Sequence, residues 1–122
     1  MNYNDYGKQL SDIEILSGKH RELVGSFWQE IGTLQFEFLC DQGLSKKDKL
    51  LDVGCGALRG GIHFIKYLND GNYTGIDGNE SLIRAGKLEI VKAGLLGKKK
   101  ELIIDKEFNY LIWGGFFNFI VS

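Results

Sequence analysis

The chain has 122 residues, room for one ordinary domain, and its 43% hydrophobic and 25% charged content is that of a globular protein with a real core. Lys and Arg number 15 against 16 Asp and Glu, a net charge of -1, so there is no global cationic field to draw the chain to nucleic acid or anionic lipid. No run reaches the roughly 18 apolar residues of a membrane span, and the opening MNYNDYGKQLSD has no basic segment followed by an apolar one, so a cytoplasmic location is expected.

From about Arg21 to Gln42 the apolar residues Leu23, Val24, Phe27, Trp28, Ile31, Leu34, Phe38 and Leu39 recur at three- and four-residue steps, which predicts one amphipathic helix. Its aromatic residues Trp28, Phe36 and Phe38 are expected in the core. Gly43 is placed to end the helix, and residues 1–44 read as an N-terminal helical extension to a domain over 45–122. Leu50 to Val53 forms a short apolar strand that stops at the turn Gly54-Cys55-Gly56. A helix follows from Gly60 to Leu68, carrying Ile62, Phe64, Ile65 and Leu68, and Asn69 to Asn72 is a turn cluster. Tyr73 to Ile76 gives a second strand ending at Asp77. Asn79 or Ser81 then caps a helix with Leu82, Ile83, Ile90 and Val91 on its apolar stripe, broken near Gly94. The lysines Lys98 to Lys100 read as a solvated loop, and the apolar runs 102–111 and 116–121 as further strands. Strands alternating with helices imply right-handed crossovers and a parallel sheet covered by helices, an α/β nucleotide-binding architecture.

The sharpest signal is LLDVGCGALRGG, residues 50–61, with Asp77 beyond it. A strand feeding a glycine turn at the start of a helix lets backbone N–H groups approach a ligand that a Cβ would hold away. Asp77 follows Gly56 at the spacing of about 20 residues at which an acid reaches the ribose hydroxyls of an adenine nucleotide. Two departures separate this from a dinucleotide fingerprint. The third glycine of GxGxxG falls on Arg59, and Asp52 stands where a pyrophosphate-binding strand carries an uncharged residue. A carboxylate there suits a cation, and S-adenosylmethionine (SAM) offers a sulfonium and an α-amino group without any phosphate.

D-x-G-x-G at the end of the first strand and an acid at the end of the second resemble motifs I and II of class I SAM-dependent methyltransferases. GCGALRGG, with FWQEIGTLQFEFL before it and YTGIDGNESLIRAG after it, is similar to a group of bacterial methyltransferases of mostly unassigned acceptor. The resemblance covers about residues 20–90. It implies the N-terminal half of a Rossmann-like parallel sheet preceded by an N-terminal helix, with strands in the order third, second, first, fourth. It also implies SAM as cofactor, with Gly54 and Gly56 under its methionine part, Asp52 at the amino-acid end and Asp77 on the ribose. Cys55 and Gly78 are counted with these contacts, and Arg59 either pairs with the methionine carboxylate or fixes the turn. Asp105, Glu107 and Phe108 are the candidates for the adenine, Phe108 being the apolar one; spacing does not choose among them. The same likeness gives the first, third and fourth strands their places, with Asn118 where the family's fourth strand commonly opens on aspartate.

No catalytic residue is identified and no metal is expected: Cys40 and Cys55 form no CxxC pair, and neither His20 nor His63 stands at ligand spacing or beside a thiol it could activate. Both histidines read as isolated, and Cys55 as a small filler. The implied acceptor is an oxygen or nitrogen on a small molecule or a surface-polysaccharide sugar. Two alternatives stand beside the methyltransferase: an NAD- or nucleotide-binding Rossmann domain, and a non-catalytic truncated or pseudoenzyme fragment. The oligomeric state is open.

Overall fold

A computed structural model describes residues 9–23, 27–107 and 117–121 of the chain. Its centre is β1 (Leu50–Val53), whose Leu50 and Leu51 are wholly buried. Burying both faces of a strand requires helices above and below it, and full burial of each leucine contributes roughly 1.5–3 kcal/mol. On one side β1 pairs in parallel with β2 (Tyr73–Asp77), Leu50 opposite Tyr73 and Asp52 opposite Gly75. On the other it pairs in parallel with β4 (Phe119–Val121), Leu50 opposite Phe119. β3 (Glu101–Ile104) adds to the outer edge of β2, giving the order β3-β2-β1-β4 that the family resemblance implies. Because all pairs are parallel, the C-terminal ends of the strands collect at one edge of the sheet. Ligands of open α/β sheets sit in the crevice outside that edge.

The crossovers form where expected. Between β1 and β2 runs α4 (Gly61–Tyr67), burying Phe64 and Ile65, and between β2 and β3 runs α5 (Glu80–Lys92). Asn79 caps α5: its Oδ1 accepts from the N–H of Ser81 at 3.0 Å and of Leu82 at 3.2 Å. Asn118 opens β4 by a two-way clasp, its side chain accepting from Lys49 N and its N–H donating to Lys49 O, both at 2.8 Å.

The N-terminal segment differs from the single helix expected over 21–42. It holds α1 (Asp12–Leu16), α2 (Lys19–Leu23) and α3 (Trp28–Asp41). Before α3 stands Phe27 at φ 61, a left-handed conformation that a continuous helix does not admit. The apolar spacing runs through this break without tracing one buried face: Leu39 is buried, but Phe27, Leu34 and Phe38 are exposed. Leu10 and Ile15 pack on Ala57, Leu82 and Ala85, so the segment is part of the core around the β1–α4 turn.

A buried ionic cluster ties α2 to α5. Arg21 grips Glu89 through both oxygens, Nε to Oε2 at 2.8 Å and Nη2 to Oε1 at 2.9 Å, while fully buried His20 adds Nε2 to Oε2 at 3.3 Å. Burial alone lifts the Glu89 carboxyl, but these bonds outweigh it and hold the group down at about 2. Trp28 closes the cluster, edge-on to His20 and under the Arg21 guanidinium at 5.0 Å. His20 is therefore not isolated. His63, half-buried, stacks on Phe36 and is a packing residue.

Two further expectations change. Phe36 packs against Phe64 and Tyr67, but Phe38 is 63% exposed, so that aromatic residue is not core. The lysines after α5 are not simply solvated: Lys98 Nζ donates to Leu68 O at 2.8 Å, and Lys100 Nζ to the carbonyls of Leu95, Leu96 and Lys98. Lys98 thus ties the end of α4 to the loop after α5, and Lys100 gathers carbonyls of that loop.

Candidate functional site

At the C-terminal edge of the sheet lies a cavity of about 380 Å³. Its floor is the chain from Asp52 to Gly60, one wall is Asp77 and Leu82, and α3 leans over it with Gln35, Phe38 and Leu39. A pocket of this size, mostly apolar with a few convergent polar groups, has the form of a small-molecule site.

The turn that makes the floor is held by its own strand neighbours. Gly54 N and Cys55 N both donate to Ile76 O, at 2.7 and 3.0 Å, and Gly56 N donates to Asp77 Oδ2 at 2.9 Å. The sequence suggested N–H groups offered to a ligand; these three are already bonded within the protein. What the glycines supply is conformation and space. Gly54 and Gly56 take φ of 75 and 55, where a side chain is strained. A Cβ on Gly54 meets nothing within 4 Å, so the cavity comes right up to the backbone there. Leu58 also adopts a left-handed φ of 69, and it is fully buried, its side chain packed against Gly61 and Gly86. Packing of that leucine offsets the backbone strain.

Both expected carboxylates face this floor. Asp77 accepts from two backbone N–H groups, Gly56 N on Oδ2 and Asn79 N on Oδ1 at 2.8 Å. Each oxygen keeps a second lone pair for another donor. Asp52 accepts the Tyr73 hydroxyl on Oδ2 at 2.7 Å. Burial lifts its carboxyl, the Tyr73 bond partly opposes this, and the nearby Asp77 charge adds to it; the result is about 6. Tyr73 was not marked by the sequence. It opens β2 in a run of strand residues, and nothing local distinguishes its hydroxyl from that of any core tyrosine.

Cys55 lines the cavity but is 8% exposed, and burial followed by the charges of Asp52 and Asp77 drives its thiol far above the ordinary value. A thiol so disfavoured as thiolate is no nucleophile. It fills space instead: a Cβ on Gly75 would lie 2.9 Å from its Sγ. Arg59 lines the cavity from the end of the turn, just ahead of α4. Gly78 follows Asp77, half-buried, outside the lining. Asp105 hangs from Asp77 by its backbone, N to O at 3.0 Å, and Glu107 is exposed; Phe108 lies outside the described residues. Among the described residues no group of three His, Cys, Asp or Glu side chains is gathered as for a metal ion. Nor, among them, is any helix long and apolar enough to cross a membrane.

The sequence matches no protein-family model. Solved structures do resemble the fold. The magnesium protoporphyrin IX methyltransferase of Synechocystis PCC 6803 with bound SAM superposes with a TM-score of 0.54 at 16% identity, over 83% of this chain and 45% of that one. The same enzyme with bound SAH gives 0.54 at 17%, over 84% and 43%. A SAM-dependent methyltransferase from Thiobacillus denitrificans, in complex with S-adenosyl-L-homocysteine, gives 0.54 at 22%, over 80% and 38%. The chain spans less than half the length of these structures. What it shares with them is the fold: a Rossmann-like, all-parallel α/β sheet of the kind found in class I SAM-dependent methyltransferases.

Proposed function

We propose that the cavity at the strand ends binds S-adenosylmethionine and that the chain is the cofactor-binding part of a SAM-dependent methyltransferase, with residues 45–122 carrying the site and 1–44 an extension that adds α3 to its wall. One observation carries this: two carboxylates, Asp52 and Asp77, converge on a cavity whose floor offers no N–H group from Gly54, Cys55 or Gly56. A pyrophosphate needs such donors and is repelled by such charges. A sulfonium with an α-amino group and a ribose is matched by them. Asp52 is what favours the SAM reading over the NAD reading, since an acid at the position of Asp77 serves the ribose in both.

In this proposal Asp77 accepts the ribose hydroxyls, its free lone pairs lying at the end of β2. Asp52 receives the α-amino group, Gly54, Cys55 and Gly56 give the methionine chain close passage, and Arg59 meets its carboxylate. Gly78 and Phe108 belong to the nucleoside side. The cofactor, when bound, supplies a methyl group activated by a positively charged sulfur. The residues of this chain hold that group in place and keep a negative field beside it; positioning and field are the contributions expected of such an enzyme. The acceptor is proposed to be an oxygen or nitrogen nucleophile on a small molecule, a carbohydrate included. That the Synechocystis enzyme is named for magnesium protoporphyrin IX supports the small-molecule class.

Equilibrium titration of the protein with SAM, S-adenosylhomocysteine and NAD side by side tests the reading. Saturable binding of the first two and none of NAD is expected. Binding of NAD alone, or of none of the three, overturns it.

A further inference from the structure

Tyr73 is 1% exposed, and its ring stacks on Phe64 with centroids 6.4 Å apart. Its side chain runs along the sheet face from the start of β2 toward the strand ends, and two glycines keep its lane open. A Cβ on Gly61 of α4 would lie 2.5 Å from the Tyr73 hydroxyl oxygen, and one on Gly75 of β2 would lie 3.1 Å from it. The hydroxyl emerges beside Asp52, 2.7 Å from Oδ2. Phenylalanine would satisfy the core equally well and would bring no polar atom into it. The lane is thus built around a hydroxyl that engages one oxygen of one carboxylate at the cavity floor. Among the described residues Oδ1 of Asp52 has no hydrogen-bond partner.

Resting on the SAM reading above, we infer that Tyr73 is a positioning residue: its hydroxyl occupies Oδ2 of Asp52 and so directs Oδ1 to the cationic α-amino group of the cofactor. The other groups lining the cavity around this carboxylate are Asp77 at the end of β2, and Cys55 and Arg59 in the turn. α3 brings uncharged Gln35 and Phe38, while α4, α5 and β4 bring Phe64, Leu82 and Val121. The Tyr73 hydroxyl is the hydrogen-bond donor to Asp52 among the described residues, and its bond favours the ionised form. Affinity for a ligand with an α-amino group then depends on pH. It is full where Asp52 is ionised and falls as pH drops through about 6. Removing the hydroxyl raises the pH at which the fall begins.

The test is calorimetric titration between about pH 5 and 8 with two probes. S-adenosylhomocysteine carries the α-amino group; methylthioadenosine has the same nucleoside and no amino acid. For the natural sequence, affinity for the first is expected to fall below about pH 6, with the second flat. In Tyr73→Phe a rise of about one pH unit cuts the ionised fraction at pH 6 from about a half to about a tenth, so S-adenosylhomocysteine binds roughly fivefold more weakly there. Methylthioadenosine is unchanged, which also reports that the variant is folded. Gly75→Ala, which crowds the hydroxyl in place, is a second variant and moves the curve the same way.

A Tyr73→Phe curve superimposable on that of the natural sequence overturns the inference and leaves the SAM reading standing. So does equal pH dependence for both probes. If the natural sequence binds neither probe at any pH, the SAM reading fails and this inference fails with it.

Discussion

Asp52→Asn makes the protein more stable at neutral pH while weakening its proposed site. The carboxyl is raised from its ordinary 3.8 to about 6, so folding at pH 7 forces an ionised group into surroundings that disfavour it. Roughly two pH units at 1.36 kcal/mol each put the cost at about 3 kcal/mol as an upper bound. An amide of the same shape keeps an oxygen to accept the Tyr73 hydroxyl, and it removes the repulsion from Asp77. Allowing for the partial exposure of the side chain, a gain of about 1–2 kcal/mol is expected in the free energy of unfolding at pH 7. The sign has a pH signature. A folded-state value above the unfolded one means that Asp52 erodes stability as pH rises from about 4 to 6 and has no further effect above. Urea unfolding at several pH values across that window, for both sequences, measures this directly. The variant should lack the erosion, and below about pH 4 the two should converge. An Asp52→Asn protein less stable than its parent at pH 7, with the same pH slope, would refute the claim that this carboxylate is held against its preference.

Three other outcomes follow from the same geometry. Gly75→Ala sets a methyl group 2.9 Å from Cys55 Sγ and should cost about 1–3 kcal/mol; adding Cys55→Ala should recover part of this, and strictly additive losses in thermal unfolding would show that the two do not touch. Asp77→Ala removes charge-assisted bonds to Gly56 N and Asn79 N as well as the proposed ribose acceptor, so S-adenosylhomocysteine should bind at least about tenfold more weakly; calorimetry giving equal affinity removes Asp77 from the site. Glu89→Gln breaks the clamp on Arg21 and His20. Because the folded-state carboxyl lies near 2, below its ordinary 4.5, its contribution is complete above about pH 4.5 and is lost as pH falls toward 2. With Arg21 40% exposed and its charge screened, about 1–2 kcal/mol is expected at pH 7, and the variant's acid unfolding should begin from a lower plateau with a shallower slope.

The parts of the fold legible in the sequence are those fixed by short-range chemistry. Leu50 to Gly56 names its own strand and turn because apolar residues stop at two glycines, and Asn79 and Ser81 mark a helix start whose cap the structure places at Asn79. Asp52 and Asp77 were legible as well, since a charge at the end of a buried strand is costly unless it meets something. Long-range partnerships were not. Glu89 lies among apolar residues on α5, and its partners Arg21 and His20 are far back in the chain, on a helix whose boundary periodicity could not locate. Tyr73 was hidden for a related reason: its role depends on Gly61 and Gly75 being bare in three dimensions, and a glycine in a sequence does not say which side chain crosses it. The saturation of the turn's N–H groups likewise depends on the Ile76 carbonyl, a strand away.

The floor of the cavity is backed by matched opposites: Leu58 against Gly61 and Gly86, Cys55 and the Tyr73 hydroxyl against Gly75. Neither member of such a pair can change alone without a clash or a void, so mutational drift there must pass through a damaged intermediate. The same coupling holds where α3 meets the turn, Gly32 against the Arg59 carbonyl and Gln35 against Gly60, whereas Phe38 and Leu34, 63% and 60% exposed, stand outside these pairings. A change to one member of these pairs is therefore felt by the other, while the exposed side of α3 is under no such coupling.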